Sequence, residues 1–383
     1  IRIVEYILIL GAIQGVLLSL LLFTRKINRT ANVVLALAML ALSFDVFNSA
    51  YIMFGYYKEY PNFIGITYSF PFLYGPIFYI YARLISSGDN YFNPKFYLHF
   101  IPFILVVIYG FVFVYLKNSE FKLALMNTGV EDTLPGIKII SYLKPLHGII
   151  YVFLTIKVVR VYNNKVRDTF SNVERINLNW LRHLTVGLIF VWGVVVISYI
   201  VNIFFGKNIK MDYLIYTAAT VLIYSIGYLS LRQPQIFDSL IQKPDEQQSA
   251  ETKTKPAERT SYQKSGLTNE EASDYLNNLL KIMETDKPYL NSELTLRQLA
   301  DKLSMSTHNL SEILNTRLKK NFYDFINHYR VEEVKRRLAE KESDNFSLIA
   351  IAFDAGFNSK SAFNTIFKKH TGTTPSQFKR QIS

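Results

Sequence analysis

The chain has 383 residues, half of them hydrophobic and 15% aromatic, long enough for two or three domains. It has no cysteine and only six scattered histidines with no spacing such as HExxH, which excludes disulfides and thiolate metal sites and leaves no metal or cofactor expected. Its formal charge of +12 suits an anionic partner, either nucleic acid or an anionic membrane surface.

Apolar content is concentrated in residues 1–231. A bilayer core takes roughly 20 mostly apolar residues per helix. Seven segments qualify, at about 3–23, 31–54, 63–82, 96–116, 139–156, 183–205 and 212–231. The first is too long for a signal peptide and lacks a small-residue cleavage site, so it reads as a span. The chain starts at Ile1 rather than Met, which leaves room for residues upstream. With seven spans and the C-terminus inside, the inner loops carry 11 Lys and Arg residues and the outer loops 6. That bias follows the positive-inside rule. The fifth segment contains Lys144, Pro145 and His147. It is retained because dropping it would place the basic stretch TRKINR outside.

Asp45, Lys144 and His147 fall inside predicted spans. A mid-bilayer charge costs about 2.5–3.5 kcal/mol on insertion scales, so each is expected to face the bundle interior or a cavity. Two readings stand side by side: a ligand pocket or signal-gating pair of Asp45 with Lys144, or a snorkelling lysine and a satisfied polar group in helix packing. The third segment carries Pro71, Pro76 and several tyrosines, which suits either a kinked pocket wall or plain packing. The seventh segment has no lysine, which argues against a retinal Schiff base.

Residues 232–266 change character. Their core, QKPDEQQSAETKTKPAERTSYQKS at 242–265, is too polar to bury a core and reads as a flexible cytoplasmic linker. An amphipathic lead-in helix over 267–288 starts with a capping box at Thr268 and Glu271. Its apolar stripe of Ala272, Tyr275, Leu276, Leu279 and Met283 either packs on the next domain or pairs two chains.

Residues 296–318 read as two short helices with a tight turn through Ser304 and Met305, the second capped by Ser306 and facing inward with Leu310, Ile313 and Leu314. That is a helix-turn-helix pattern. It returns at 347–371, where Ile349, Ala352 and Phe353 are expected to line the first helix. Gly356 supplies the turn, and Ala362, Phe363, Ile366 and Phe367 line the second helix. Between them, 321–340 reads as one helix, about 30 Å long at 1.5 Å per residue. The major groove returns to the same face of B-DNA every ~34–36 Å, so the pair can address successive grooves.

Residues 289–383 resemble the DNA-binding domain of the AraC/XylS family of bacterial transcription regulators. The segment IAFDAGFNSKSAFNTIFKKHTGTTPSQFKR carries that family's A-x-x-x-G-F, S-x-F-x-x-x-F-K and G-x-T-P-x-x-F/Y-R patterns in register. The whole layout is similar to membrane-bound AraC-type regulators of Bacteroidetes-like bacteria. One departure is Lys319, where the family usually has glycine after the first recognition helix; without the glycine the helix can run on. The faces and the resemblance together assign base contacts to Thr307, His308, Ser311 and Glu312 in the first unit and to Lys360, Ser361, Asn364 and Thr365 in the second. Lys319, Lys320, Lys368, Lys369 and Arg380 suit phosphates. Arg330 matches a family position and is expected to be structural, paired with a carboxylate. Residues 267–383 are only +2 net, so the charge by itself does not argue for DNA.

The resulting expectation is an all-α protein: a seven-helix transmembrane bundle, a linker and a tandem helix-turn-helix domain. It would sit in the inner (cytoplasmic) membrane as a multi-pass regulator, with its DNA-binding domain in the cytoplasm. Its partners would be double-stranded promoter DNA, the lipid bilayer and a signal ligand or membrane protein of unknown identity, with a homodimer as a further candidate. No P-loop, kinase signature or GxSxG points to an enzyme. The rival readings are a transporter or channel with an autoregulatory DNA-binding tail, and a membrane-anchored factor released by proteolysis of the linker.

Overall fold

The computed structural model describes residues 2–87, 91–128, 133–173, 179–205, 212–231, 268–340 and 346–382. The linker expected at 232–266 lies outside these residues. Among the described residues the chain is helical, and the only extended pairing is a lone antiparallel bridge between Phe170 and Thr295. The chain divides into two units: residues 1–161 with 178–235, and residues 162–177 with 236–383.

The first unit holds α1 (Arg2–Thr24), α2 (Arg29–Met53), α3 (Pro71–Ser87), α4 (Ile101–Gly110), α5 (Ser119–Thr128), the first part of α6 (Ile137–Thr169), α7 (Asn179–Phe205) and α8 (Asp212–Leu231). Each of the seven apolar segments has a helix. A 3₁₀ stretch, Pro94–Phe100, and a π stretch, Phe111–Tyr115, extend α4 at either end. The boundaries differ from expectation in two places. The helix in the third segment starts only at Pro71 and is 17 residues long. The fifth runs on to Thr169, reaching 33 residues with Pro145 inside it, because the polar residues after 156 end the apolar stretch without ending the helix. By length and composition five helices could cross a membrane: Ile3–Thr24, Arg29–Met53, Pro94–Tyr115, Ile137–Thr169 and Trp180–Phe205.

Small residues set the packing of α1. A Cβ on Gly11 would lie 2.4 Å from Thr220 Cγ2, and one on Gly15 would lie 2.1 Å from Ser43 Oγ, so bare backbone brings α1 against α2 and α8. Ser19 Oγ donates to Ala36 O at 2.9 Å and fixes the α1–α2 register. The opposite face of α1 exposes Leu10, Ile13, Leu17, Leu20 and Leu21, each more than half exposed.

The second unit holds α9 (Asn269–Thr285), α10 (Leu296–Lys302), α11 (Thr307–Thr316), α12 (Phe322–Leu338), α13 (Leu348–Asp354), α14 (Lys360–Thr371) and α15 (Pro375–Ile382). The capping box of α9 forms with both of its bonds. Leu279 and Met283 of α9 are fully buried among Leu299, Leu310 and Phe325, so the lead-in stripe packs on the first helix-turn-helix. The connecting helix α12 serves two cores. Its N-terminal half adds Phe322, Phe325 and Ile326 to the core of the first helix-turn-helix. Its C-terminal half adds Val331, Val334 and Leu338 to a core with Ile351, Ala352, Phe363 and Phe367. Arg330 lies between the two sets and is 2% exposed.

Candidate nucleic-acid interface

The two helix-turn-helix units are built with the same local devices. In the first, Met305 N donates to Ala300 O at 3.0 Å, and Ser304 takes φ 52° to make that turn. In the second, Phe357 N donates to Ala352 O at 3.0 Å, and Gly356 takes φ 95°. Serines then cap both recognition helices: Ser306 Oγ accepts from Asn309 N at 3.1 Å, and Ser359 Oγ from Ala362 N at 3.0 Å. Each cap satisfies an N–H that a helix start leaves orphaned and contributes about 1 kcal/mol. The helix-turn-helix expectation is borne out at the level of individual hydrogen bonds.

The faces follow. On α14 the side chains of Phe363, Ile366 and Phe367 are buried, while Lys360, Ser361, Asn364, Thr365, Lys368 and Lys369 are exposed. On α11 Leu310, Ile313 and Leu314 are buried, Thr307 and His308 are exposed, and Ser311 and Glu312 are half-buried. Asn364, Thr365, Lys368 and Lys369 share an open depression of about 700 Å³ with Thr374, Pro375 and Ser376 at the start of α15. Arg380 is exposed in the last turn of α15. Three features of this surface were not anticipated: Asn315, exposed and donating to Ser311 Oγ at 3.3 Å; the Thr374–Ser376 wall; and an ion pair of Lys369 with Asp324 at 2.8 Å. Burial pushes the Asp324 carboxyl up, but Lys369 and Asn321 outweigh it and hold it below its usual range. Lys369 is therefore already engaged by α12, unlike the outward arrangement expected for it.

The family signature is largely architectural. Ala352 is fully buried, and Gly356 has no room for a side chain: a Cβ there would meet Tyr289 O at 2.3 Å and Arg330 Nε at 2.9 Å. Gly372 closes α14 at φ 79°. Thr374 and Gln377 cap α15 reciprocally, at 3.0 and 3.3 Å, ahead of the buried Pro375. Phe378 packs edge-on to Phe367. Of the signature's side chains, Ser361 and Lys368 are the exposed polar ones, and Lys379 stands directly after Phe378 where the pattern has arginine, with Arg380 one position later.

Three expectations need correction. Lys319 does not extend α11: the helix stops at Thr316, and Lys319 itself takes φ 54°, the left-handed conformation glycine would supply. Phe353 is 48% exposed and Ile351 is buried in its place, so the inner face of α13 is Ile351, Ala352 and Ala355, rotated from the one read off the sequence. Arg330 is structural, yet its acceptors are neutral. Nε donates to Tyr289 O at 2.8 Å, Nη2 to Asn291 O at 2.8 Å and Nη1 to Asn327 Oδ1 at 3.2 Å. Burial lowers its pKa to about 10, still charged at neutral pH. The carboxylate on the next turn, Glu333, is bonded instead by Arg336 and Arg337, which hold it at about 2.

A family model described as a helix-turn-helix domain matches residues 299–381. The chain is 31% identical over 108 residues to a probable transcription factor, PqrA, of Proteus vulgaris, covering 28% of this chain and 85% of that protein. It is 30% identical over 141 residues to an uncharacterized HTH-type transcriptional regulator in the cgkA 5′ region of Pseudoalteromonas carrageenovora, covering 37% of this chain and 75% of that one. This chain belongs to the AraC-type helix-turn-helix transcriptional regulators. A solved structure from Listeria innocua is 24% identical and covers 28% of this chain and 97% of that one, with a TM-score of 0.25, too low to bear on the fold. As a member of this family the protein is a DNA-binding transcriptional regulator, and the family is one of regulators rather than enzymes. Neither relative accounts for more than 37% of this regulator.

Proposed function

We propose that this protein is a membrane-embedded one-component regulator: its apolar unit receives a signal in the inner membrane, and its helix-turn-helix pair binds promoter DNA from the cytoplasmic side. The observation that carries this reading is the coexistence, in one chain, of five helices long and apolar enough to cross a bilayer with a tandem helix-turn-helix matched over residues 299–381. Large exposed aliphatic faces such as that of α1 are costly in water and favourable against lipid. The connecting helix α12, at 17 residues, is about 25 Å long. In the chain one recognition helix precedes it and the other follows, with α14 packed along it through Phe363 and Phe367. A rod of this length between them suits two major grooves ~34–36 Å apart on one face of the duplex. In this reading Lys360, Ser361, Asn364, Thr365, Thr307, His308, Ser311 and Glu312 read bases. Lys368, Arg380, Lys319 and Lys320 hold phosphates, as does Lys369 after exchanging Asp324 for the backbone.

The input site is a polar network inside the apolar unit. Tyr74 donates to Asp45 Oδ2 at 2.7 Å, and Asn48 donates to Thr67 Oγ1 at 3.1 Å. Lys144 Nζ sits 3.1 Å from the Tyr68 ring centroid, and Tyr68 bonds Ser141 at 2.9 Å. His147 meets Phe72 edge-on and Tyr151 at a tilt, and neither of its buried ring nitrogens has a hydrogen-bond partner. Polar groups placed this deep in an apolar bundle are expensive unless used, which supports Asp45, Lys144 and His147 as the place where the signal acts. The test is genome-wide sequencing of DNA recovered with the full-length chain from native membranes, for the wild type and for Asp45→Asn and Lys144→Met. Discrete promoters with the wild type and altered occupancy in a variant at equal protein level support the reading. Recovery of no preferred sequence would end the regulator reading, and unchanged occupancy in both variants would end the input site.

A further inference from the structure

The DNA-binding unit contains a piece of chain that belongs, by sequence, to the apolar half. Residues 162–177 group with it, although the helix that leads into them, α6, begins at Ile137 in the other unit. After α6 ends at Thr169, Phe170 and Ser171 lie extended against Leu294 and Thr295. Phe170 bridges Thr295, and Ser171 donates to Leu294 O from both its N at 3.2 Å and its Oγ at 2.6 Å. Ser171 then serves as acceptor for the buried centre of α12. Its carbonyl takes bonds from Asn327 Nδ2 and Arg330 Nη1, each at 3.2 Å, and its Oγ takes one from Arg330 Nη2 at 3.1 Å. One turn earlier on α6, the Arg167 guanidinium lies 5.7 Å from the Tyr323 ring centroid. Phe170 and Ser171 are 8% and 1% exposed.

The place this segment occupies is the joint of the domain. Arg330 lies between the two α12 half-cores, reaches Tyr289 O and Asn291 O just ahead of the first helix-turn-helix, and crowds the Gly356 turn of the second. Two of its five hydrogen bonds end on Ser171. A buried guanidinium that loses acceptors must find others or move, and any movement here changes how the two recognition helices are held. The helix that delivers the segment also carries Lys144 and His147.

We propose that residues 162–171 are the output arm of the membrane unit and that the pocket formed by Leu294, Thr295, Asn327 and Arg330 is its receptor, so that the signal reaches DNA through the joint between the two helix-turn-helix units. This rests on the regulator reading above and names the step that reading lacks. The arm acts by occupying or leaving Arg330 and Asn327; a state that holds it differently re-sets the spacing of α11 and α14.

The chain has no cysteine, so a designed pair reports without background. Full-length Phe170→Cys/Thr295→Cys is oxidised in native membranes after a protease site has been inserted within 242–265. Cleavage there should leave the two halves joined by a disulfide, and reduction should part them. In parallel, Ser171→Pro removes the N–H and hydroxyl that hold the arm, with protein level as the control for folding. Allosteric couplings run at about 5- to 150-fold. Promoter occupancy should therefore change about fivefold or more in the locked or the released variant, measured against the wild type at the same promoters. Failure of the disulfide to form, or a smaller change in both variants, overturns the arm while leaving the regulator reading intact. Absence of any enriched promoter with the wild type overturns both.

Discussion

The two helix-turn-helix units solve the same backbone problem with different residues, and the difference separates architecture from recognition. Each needs a left-handed residue in its turn and another near the end of its recognition helix. The second unit uses Gly356 and Gly372; the first uses Ser304 at φ 52° and Lys319 at φ 54°. A left-handed conformation costs a side-chain-bearing residue about 1–2 kcal/mol, so the first unit carries strain the second avoids. The outer faces differ too. The second recognition helix ends in Lys368, Lys369 and His370, whereas the first presents His308 within 4.0 Å of Glu312. Both helices end in or are followed by basic residues, with Arg317, Lys319 and Lys320 after the first. The units therefore differ mainly on the outer face of the recognition helix, where Glu312 sets a carboxylate on the first and the second has none.

The sharpest way to break the architectural half of this comparison is to exchange the turn residues. Gly356→Ala adds a Cβ 2.3 Å from Tyr289 O at φ 95°. Strain and overpacking together should cost roughly 2–5 kcal/mol, read as earlier thermal unfolding and faster proteolysis of the DNA-binding unit. Ser304→Ala keeps the Cβ already present and should cost less than about 1 kcal/mol. Equal losses at the two positions would show that packing around Gly356 is not what distinguishes the turns.

The recognition half is tested at the bases. Lys360→Ala or Asn364→Ala should relax preference at one base pair and cost about 1–3 kcal/mol if the contact is bidentate. His308→Ala probes the matching place in the first unit. If His308→Ala leaves the binding motif untouched while Lys360→Ala changes it, the first helix positions and the second specifies. Phosphate contacts should behave differently again. Lys368→Ala should weaken all sequences alike and lower the salt slope by about one. Lys369→Ala should do so less, because its ammonium is already bonded to Asp324 at 2.8 Å. An unchanged slope at Lys369 would mean that the ion pair persists on DNA and that Lys369 holds no phosphate.

What the sequence made legible was whatever local rules govern. Thr268, Ser306 and Gly356 announce caps and turns by residue type, and the 3.6-residue period locates both recognition helices. Phe353 was misread because Phe and Ile are equally apolar, and in a helix of 7 residues neighbouring faces differ by one position. The Lys369–Asp324 pair spans 45 residues, and the Ser171–Arg330 contact spans 159; neither leaves a local pattern. A polar stretch after a long apolar helix reads as an ordinary loop, and only the fold brings Phe170 and Ser171 to the joint. Lys319 was misjudged for a related reason: nothing in a lysine signals that its backbone will turn left-handed.

That residue gives the smallest and most discriminating test. At φ 54° Lys319 costs about 1–2 kcal/mol that glycine does not. Glycine in turn gives up about 0.5–1 kcal/mol through the freedom of the unfolded chain. Lys319→Gly should therefore stabilise the DNA-binding unit by roughly 0.5–1 kcal/mol. The same change deletes a cation placed for a phosphate, so DNA affinity at low salt should fall and the salt slope should drop by about one. Stability and affinity thus move in opposite directions, an outcome that neither general loosening nor general tightening of the unit produces. Lys319→Ala, which keeps the strain and removes the charge, should lose affinity without gaining stability. A stabilised Lys319→Gly with unchanged salt slope would leave the left-handed turn correct and remove Lys319 from the phosphate-contacting set, and a destabilised one would show that the lysine side chain, not its backbone, is what holds the end of the first recognition helix.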